Sequence, residues 1–170
     1  MVPGGGAARS RLRRRVRSAP GAGSVTTPHF RAGVILVVRR ADGQVLSFER
    51  SDKPGNWQLP QGGLDGEETP VIAAWRELRE ETGLSSEQVR LTGEYQGWTV
   101  YEFPDEVREA GRIDGRLGQA HRWFFFDVLD DRVEPTPDGR EFVAWRWTDV
   151  DTLIAEVADF RRPGYLEVLT

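Results

Sequence analysis

Apolar and polar residues fall into a regular order from about position 30 onward. FRAGVILVVRR, residues 30–40, is a β-rich apolar run closed by charge. ADGQ at 41–44 supplies turn residues, and VLSFER at 45–50 reads as the return strand of a hairpin. WQLP at 57–60 is a short strand that enters a glycine-rich loop. The period then lengthens to that of a helix, with Thr69 as N-cap, Pro70 in the first turn and Gly83 at the end. Further strands are expected near 88–96, 97–103, 121–129 and 142–148, and helical segments near 149–160 and 162–169. Strands outnumber helices, and hairpins mix with a loop–helix unit, which predicts α/β layers around a mixed sheet. There is no internal repeat.

Composition narrows the class. A chain of 170 residues suits one domain, and 38% hydrophobic content with six tryptophans fits a globular fold. The absence of cysteine excludes disulfides, thiolate zinc sites and cysteine nucleophiles, and fits a cytoplasmic location. No apolar run reaches the length of a membrane span, so a soluble protein is expected. The net charge of −4 conceals an asymmetry. Residues 1–27 carry Arg9, Arg11, Arg13, Arg14, Arg15 and Arg17 and no acid; removing that +6 from −4 leaves −10 for the remainder. A polyanionic substrate must therefore be drawn by local arginines or a bound metal, not by a generally basic surface. The Gly-, Ala-, Ser-, Pro- and Arg-rich residues 1–27 read as a disordered tail, and 28–170 as the domain. The tail lacks the apolar core of a secretory signal. Its composition overlaps with that of an organelle transit peptide, but a solvated tail or misassigned start explains it better, and a nucleic-acid-binding arm is a weaker third reading.

The helix following Thr69 poses a chemical question. At about 100° per residue Val71, Trp75 and Leu78 share one face, while Glu77, Glu80 and Glu81 fall roughly opposite, flanked by Arg76 and Arg79. Like charges three and four residues apart repel. Either the acidic side is simply solvated, or a cation sits among the carboxylates. The adjoining loop favours the cation: Gly62, Gly63 and Gly66 allow tight turning and close approach to a ligand, and Glu68 adds a carboxylate at the helix entrance. Clustered hard oxygens suit Mg²⁺ or Mn²⁺, and Mg²⁺ commonly shares phosphate oxygens. Such a site serves metal-assisted displacement at phosphorus.

The stretch GGLDGEETPVIAAWRELREETGL, residues 62–84, resembles the signature of the Nudix hydrolases. That signature is a glycine, five residues, Glu, seven residues, then Arg-Glu-apolar-any-Glu-Glu-any-Gly-apolar. Gly62, Glu68, Arg76, Glu77, Leu78, Glu80, Glu81, Gly83 and Leu84 match every fixed position. The resemblance implies a Nudix-like α/β/α sandwich around a mixed β-sheet. It also implies metal-dependent cleavage of a nucleoside diphosphate linked to another group. Glu77, Glu80 and Glu81 would be metal ligands, one carboxylate would help to activate the attacking water, and Arg76 would orient a neighbouring glutamate.

WQLPQGG, together with FRAGV, GWTVYEFP, GQAHRWFFF, EFVAWRW and FRRPGY, is similar to the bacterial RNA pyrophosphohydrolases and the related dinucleoside polyphosphate hydrolases over roughly residues 30–165. This resemblance implies that Glu141 is a further metal ligand, with Glu134 as a weaker alternative beside Pro135. It places Arg31, Arg50 and Tyr101 near phosphates or nucleotide, and makes Phe160 a stacking surface for a base. Each has a plainer role beside it: surface ion pairs for the arginines, core packing for Tyr101, and anchorage of the last helix for Phe160. Trp123, Trp145 and Trp147 read as core, and His29 and His121 are too few for a zinc site. PDEVREAGRIDGRLGQ, residues 104–119, mixes four acids with three arginines, so it supplies no basic RNA track.

The expected activity is hydrolysis of a nucleotide phosphoanhydride with Mg²⁺ or Mn²⁺. The leading substrate is 5′-triphosphorylated RNA, and a dinucleoside polyphosphate is the alternative. A non-catalytic nucleotide- or RNA-binding regulator is the reading from another class, and the intact carboxylate set counts against it. No protein partner is predicted.

Overall fold

A computed structural model describes residues 27–110 and 115–170. The tail reading for residues 1–27 therefore lies, but for Thr27, outside the described residues. The chain runs β1 (His29–Arg39), β2 (Val45–Arg50), β3 (Trp57–Gln58), β4 (Gln61–Gly63), α1 (Pro70–Thr82), β5 (Val89–Glu94), β6 (Thr99–Glu102), α2 (Asp105–Glu109), β7 (Arg116–Val128), β8 (Phe142–Thr148), α3 (Val150–Glu156) and α4 (Arg162–Leu169).

β1 is the spine of a mixed sheet. It runs parallel to β7 along its whole length, from His29 beside Arg116 to Arg39 beside Asp127. Its apolar run is buried on both faces, which is why it shows no alternation. Val34, Leu36 and Val38 pack with Phe124, Phe126, Ala73, Ala74 and Leu78 beneath α1. Ile35 and Val37 point the other way, to Trp123, Leu153, Ile154 and Tyr165 beneath α3 and α4. Helices thus cover both faces, giving the α/β/α sandwich. Trp123 is fully buried, and Trp145 and Trp147 pack against the first core.

The β1–β2 hairpin forms only at its turn, where Arg39 pairs with Val45. Beyond it β4 takes the edge of β1, pairing Gly33 with Gly63 and Ile35 with Gln61. β2 then diverges and pairs along its length with β8, from Val45 opposite Thr148 to Arg50 opposite Phe142. Residues of β2, β3, β4 and α1 line one cavity. WQLP is a strand only at Trp57–Gln58, and Gln61–Gly63, read as loop from its glycines, is itself a strand. β7 begins five residues ahead of the expected boundary, and the short α2 within the acid–arginine segment was not anticipated. Asp149 caps α3 through the Thr152 N–H at 2.8 Å, and the helix stops at Glu156, leaving Phe160 in the turn before α4. Among the described residues no helix is long and apolar enough to cross a membrane.

Candidate active site

α1 is terminated as its sequence dictates. Gly83 adopts a left-handed conformation at φ 70° and its N–H returns to the Arg79 carbonyl. Thr69 occupies the N-cap position but makes no side-chain capping bond.

Of the apolar face that periodicity suggests for α1, Trp75 and Leu78 pack on the core and Val71 does not. Val71 is exposed, whereas Ala73, Ala74 and Leu78 pack on the sheet. The small alanines bring the helix close to β4, and this carries Glu77 and Glu81 inward, to 8% and 5% exposure. Glu80 alone of the three remains in solvent. Gly62 makes the close approach possible: a Cβ there would stand 1.9 Å from the Glu77 carboxylate carbon. At Gly63 a Cβ would stand 2.0 Å from the Arg31 Nε. Gly62 and Gly63 thus serve to seat two side chains rather than to turn the chain, and Gly66, at φ 53°, makes the turn.

Arg76 organises the outer carboxylates. Its guanidinium donates to Glu68 Oε2 at 3.1 Å, Glu77 Oε1 at 2.7 Å, Glu80 Oε2 at 3.2 Å and the Gly63 carbonyl at 2.8 Å. The bond from Arg76 holds the Glu68 carboxyl below the usual carboxylate range. Glu68 is thereby committed to Arg76 and to the Asp65 N–H at 2.7 Å. It fixes the arginine and does not add a free ligand.

Glu81 is in the opposite condition. Burial, and then the charges of Glu141 and Glu77, push its carboxyl well above the usual range, against a single bond from the Gln61 N–H at 2.9 Å. Burial also raises Glu77, with Arg76 opposing. These are hard oxygen donors whose charged forms burial disfavours, and a divalent ion would offset that cost, so the donor set fits one. As placed, no three carboxylates among the described residues stand close enough to hold one. Glu77 leans on Arg76, and Glu141 accepts from Arg50 at 3.0 Å.

Glu77, Glu81 and Glu141 open into a cavity of about 740 Å³ that Arg31, Arg50 and Phe160 also line. Arg50 is shared between Glu141 and Asp52, the latter at 2.7 Å. Tyr101 lies behind this wall. Its hydroxyl donates to Gln119 Oε1 at 2.5 Å and its ring meets Phe160 edge-on at 5.2 Å. Phe160 therefore rests on Tyr101 and Phe103 with one side toward the cavity. Arg76, Glu80 and Glu134 lie outside the lining. His29 is exposed, and His121 is buried beside Tyr101. Sequence reasoning missed Gln58, Gln61, Gln119 and Arg161, all on the cavity wall. Three of these lie within the quoted motifs WQLPQGG and GQAHRWFFF, and an amide in so apolar a run was the available signal.

A NUDIX domain matches residues 29–168. An RNA pyrophosphohydrolase of Rhodospirillum rubrum is 44% identical over 144 residues, covering 82% of this chain and 85% of that protein. Nudix hydrolase 26, chloroplastic, of Arabidopsis thaliana is 34% identical over 149 residues, covering 83% and 68%. Among solved structures, the E. coli dihydroneopterin triphosphate pyrophosphohydrolase superposes with a TM-score of 0.68 at 23% identity, covering 82% of this chain and 96% of that one. A C. elegans Ap4A hydrolase in a binary complex gives 0.62 at 20% identity, covering 81% and 93%. The two structures agree in fold, and the matched domain spans every carboxylate described above. On these matches the chain belongs to the Nudix hydrolase family.

Proposed function

We propose that this protein removes pyrophosphate from the 5′-triphosphate end of RNA, with Mg²⁺ or Mn²⁺ held by Glu77, Glu81 and Glu141 and by Glu80 at the rim. Water attacks a phosphorus of the triphosphate, a phosphoanhydride P–O bond breaks, and the products are 5′-monophosphorylated RNA and pyrophosphate. A divalent ion held by these carboxylates would neutralise phosphate oxygens and lower the pKa of the attacking water. A carboxylate of the buried pair receives the proton. Arg76 keeps Glu77 in place through its bond to Oε1. Arg31 and Arg50 hold phosphate oxygens, Phe160 stacks on a base near the 5′ end, and Tyr101 supports Phe160 from behind.

The observation that carries this reading is that one cavity is lined both by the buried carboxylates Glu77 and Glu81 and by the half-buried ring of Phe160. Similarity to proteins named RNA pyrophosphohydrolase, at 44% and 35% identity in two of them, supports RNA as the nucleotide. A cytoplasmic location belongs to the same reading. The test is to compare kcat/KM for 5′-triphosphorylated RNA with that for a dinucleoside tetraphosphate on one preparation, with each metal. A preference for RNA is expected; a strong preference for the dinucleotide overturns the substrate assignment. Absence of turnover on both, with metal present, favours the non-catalytic regulator.

A further inference from the structure

The cavity treats its arginines unequally. Arg50 is neutralised by Asp52 and Glu141. Arg161, on the same wall, has no carboxylate partner among the described residues. Its guanidinium donates instead to Gln58 Oε1 and, at 3.0 Å, to Gln61 Oε1. It also lies 5.7 Å from the centre of the Tyr101 ring and 5.5 Å from that of Phe160.

Gln58 and Gln61 are almost wholly buried, at 0% and 7% exposure. A buried amide is destabilising unless it is hydrogen-bonded, and the two carbonyl oxygens find their partner in Arg161. Gln61 is further fixed on two sides. Its backbone N–H donates to Glu81 and its side-chain NH₂ to Gln119 Oε1 at 3.3 Å.

Neutral acceptors have a consequence that carboxylates would not. An amide oxygen fixes a guanidinium in place and leaves its charge intact, whereas an acidic partner would cancel most of it. Glu77 and Glu81 line the same cavity, yet the Arg161 guanidinium is bonded to the amide oxygens and to neither carboxylate. Buried His121 reports the resulting field: after burial itself, the charges of Arg161 and Arg31 help to keep it neutral.

We propose that Gln58 and Gln61 are positioning residues that hold Arg161 as an uncompensated cation for the phosphate chain of the substrate. This rests on the reading that the substrate is a nucleotide polyphosphate, and holds equally for triphosphorylated RNA and for a dinucleotide.

The decisive variant is Gln58→Glu. It preserves size and the bond to Arg161 but places a negative charge against it. The measurements are KM and kcat on whichever of the two polyphosphates the unmodified enzyme turns over better, the Kd for inorganic triphosphate, and the melting temperature. KM and Kd are expected to rise about ten- to hundredfold, as for loss of a hydrogen bond to a charged group. The melting temperature should hold and kcat should change little, a split that a purely structural amide would not produce. Arg161→Gln should raise KM by a similar factor, and adding Gln58→Glu to it should cost little more. Unchanged KM in Gln58→Glu overturns the proposal. So does an equal penalty with and without Arg161, because the new charge would then act on substrate directly. If Gln58→Glu does not fold, Arg161→Gln decides: normal KM and normal triphosphate binding overturn it. The substrate assignment is judged separately, from the preference of the unmodified enzyme.

Discussion

Replacing His121 by Gln should flatten the acid side of the stability profile. His121 is 1% exposed, its Nδ1 has no partner among the described residues, and it lies 5.5 Å from Tyr101, ring centre to ring centre. Burial, with Arg161 and Arg31 nearby, pulls its pKa from 6.5 down to about 3. The unfolded chain therefore takes up the proton first as pH falls. Stability that is whole above pH 6.5 is lost progressively toward pH 3. At pH 5 the loss is about 2 kcal/mol, from about 1.4 kcal/mol for each pH interval below the unfolded value. In a domain of this size that is roughly 4–8 °C in melting temperature. Glu77 and Glu81 act with the opposite sign. Their raised carboxyls contribute stability that is present at low pH and lost as pH rises. Both proteins carry them, so the difference between the two profiles isolates the histidine. The assay is thermal unfolding by circular dichroism from pH 7.5 to 5.0 without divalent metal. The unmodified protein should lose that much more than His121→Gln over the interval, whatever the offset between them at pH 7.5. Parallel profiles would refute the assignment of a neutral, proton-resistant His121.

Three further outcomes follow from the site. Glu81→Gln keeps an acceptor for the Gln61 N–H but removes a disfavoured buried charge. Turnover should be nearly abolished while the metal-free protein at pH 8 gains on the order of 1–2 kcal/mol; normal rates at saturating metal would remove Glu81 from the site. Gly62→Ala puts a Cβ on the Glu77 carboxylate, the mobile end of a side chain, so kcat should drop about a hundredfold with little change in melting temperature. Unimpaired turnover would mean that Glu77 need not stand where it does. Phe160→Ala removes a ring that is half-buried over Tyr101, and KM for triphosphorylated RNA should rise about five- to hundredfold. Equal loss on all substrates together with a lower melting temperature would mark Phe160 as an anchor only.

Local features were legible in the sequence because local chemistry determines them. Thr69, Pro70 and Gly83 bound α1 where expected, and the apolar run of β1 announced a strand, though not that both its faces are buried. The short α2 carried a signal as well, since Pro104 followed by Asp105 and Glu106 is a helix start in miniature. What periodicity could not reveal was decided between distant segments. Val71 counts as core by type, yet Ala73 and Ala74 take that place because only small residues let α1 lie on β4. The inward position of Glu77 and Glu81 follows from the same contact. The departure of β2 from β1 follows from competition by β4, which no hairpin rule contains. Arg161 meets Gln58 across 103 residues, beyond the reach of any local pattern.

The distribution of unmatched charge gives the cavity its chemistry. Arg76 answers Glu68, Glu77 and Glu80, and Arg50 answers Asp52 and Glu141, so much of the local charge is internally balanced. Two kinds of group are left over. Among the described residues Glu81 has only a backbone N–H to offset its burial, Arg161 is bonded to amide oxygens and no carboxylate, and Arg31 on the same wall has no carboxylate partner either. A free cation would answer the first and repel the second; a free anion would do the reverse. A polyphosphate chain carrying a divalent ion presents both charges at once, a few ångströms apart, and satisfies both in a single binding event. Metal and substrate should on this ground bind with positive coupling, each raising the affinity for the other by the same factor.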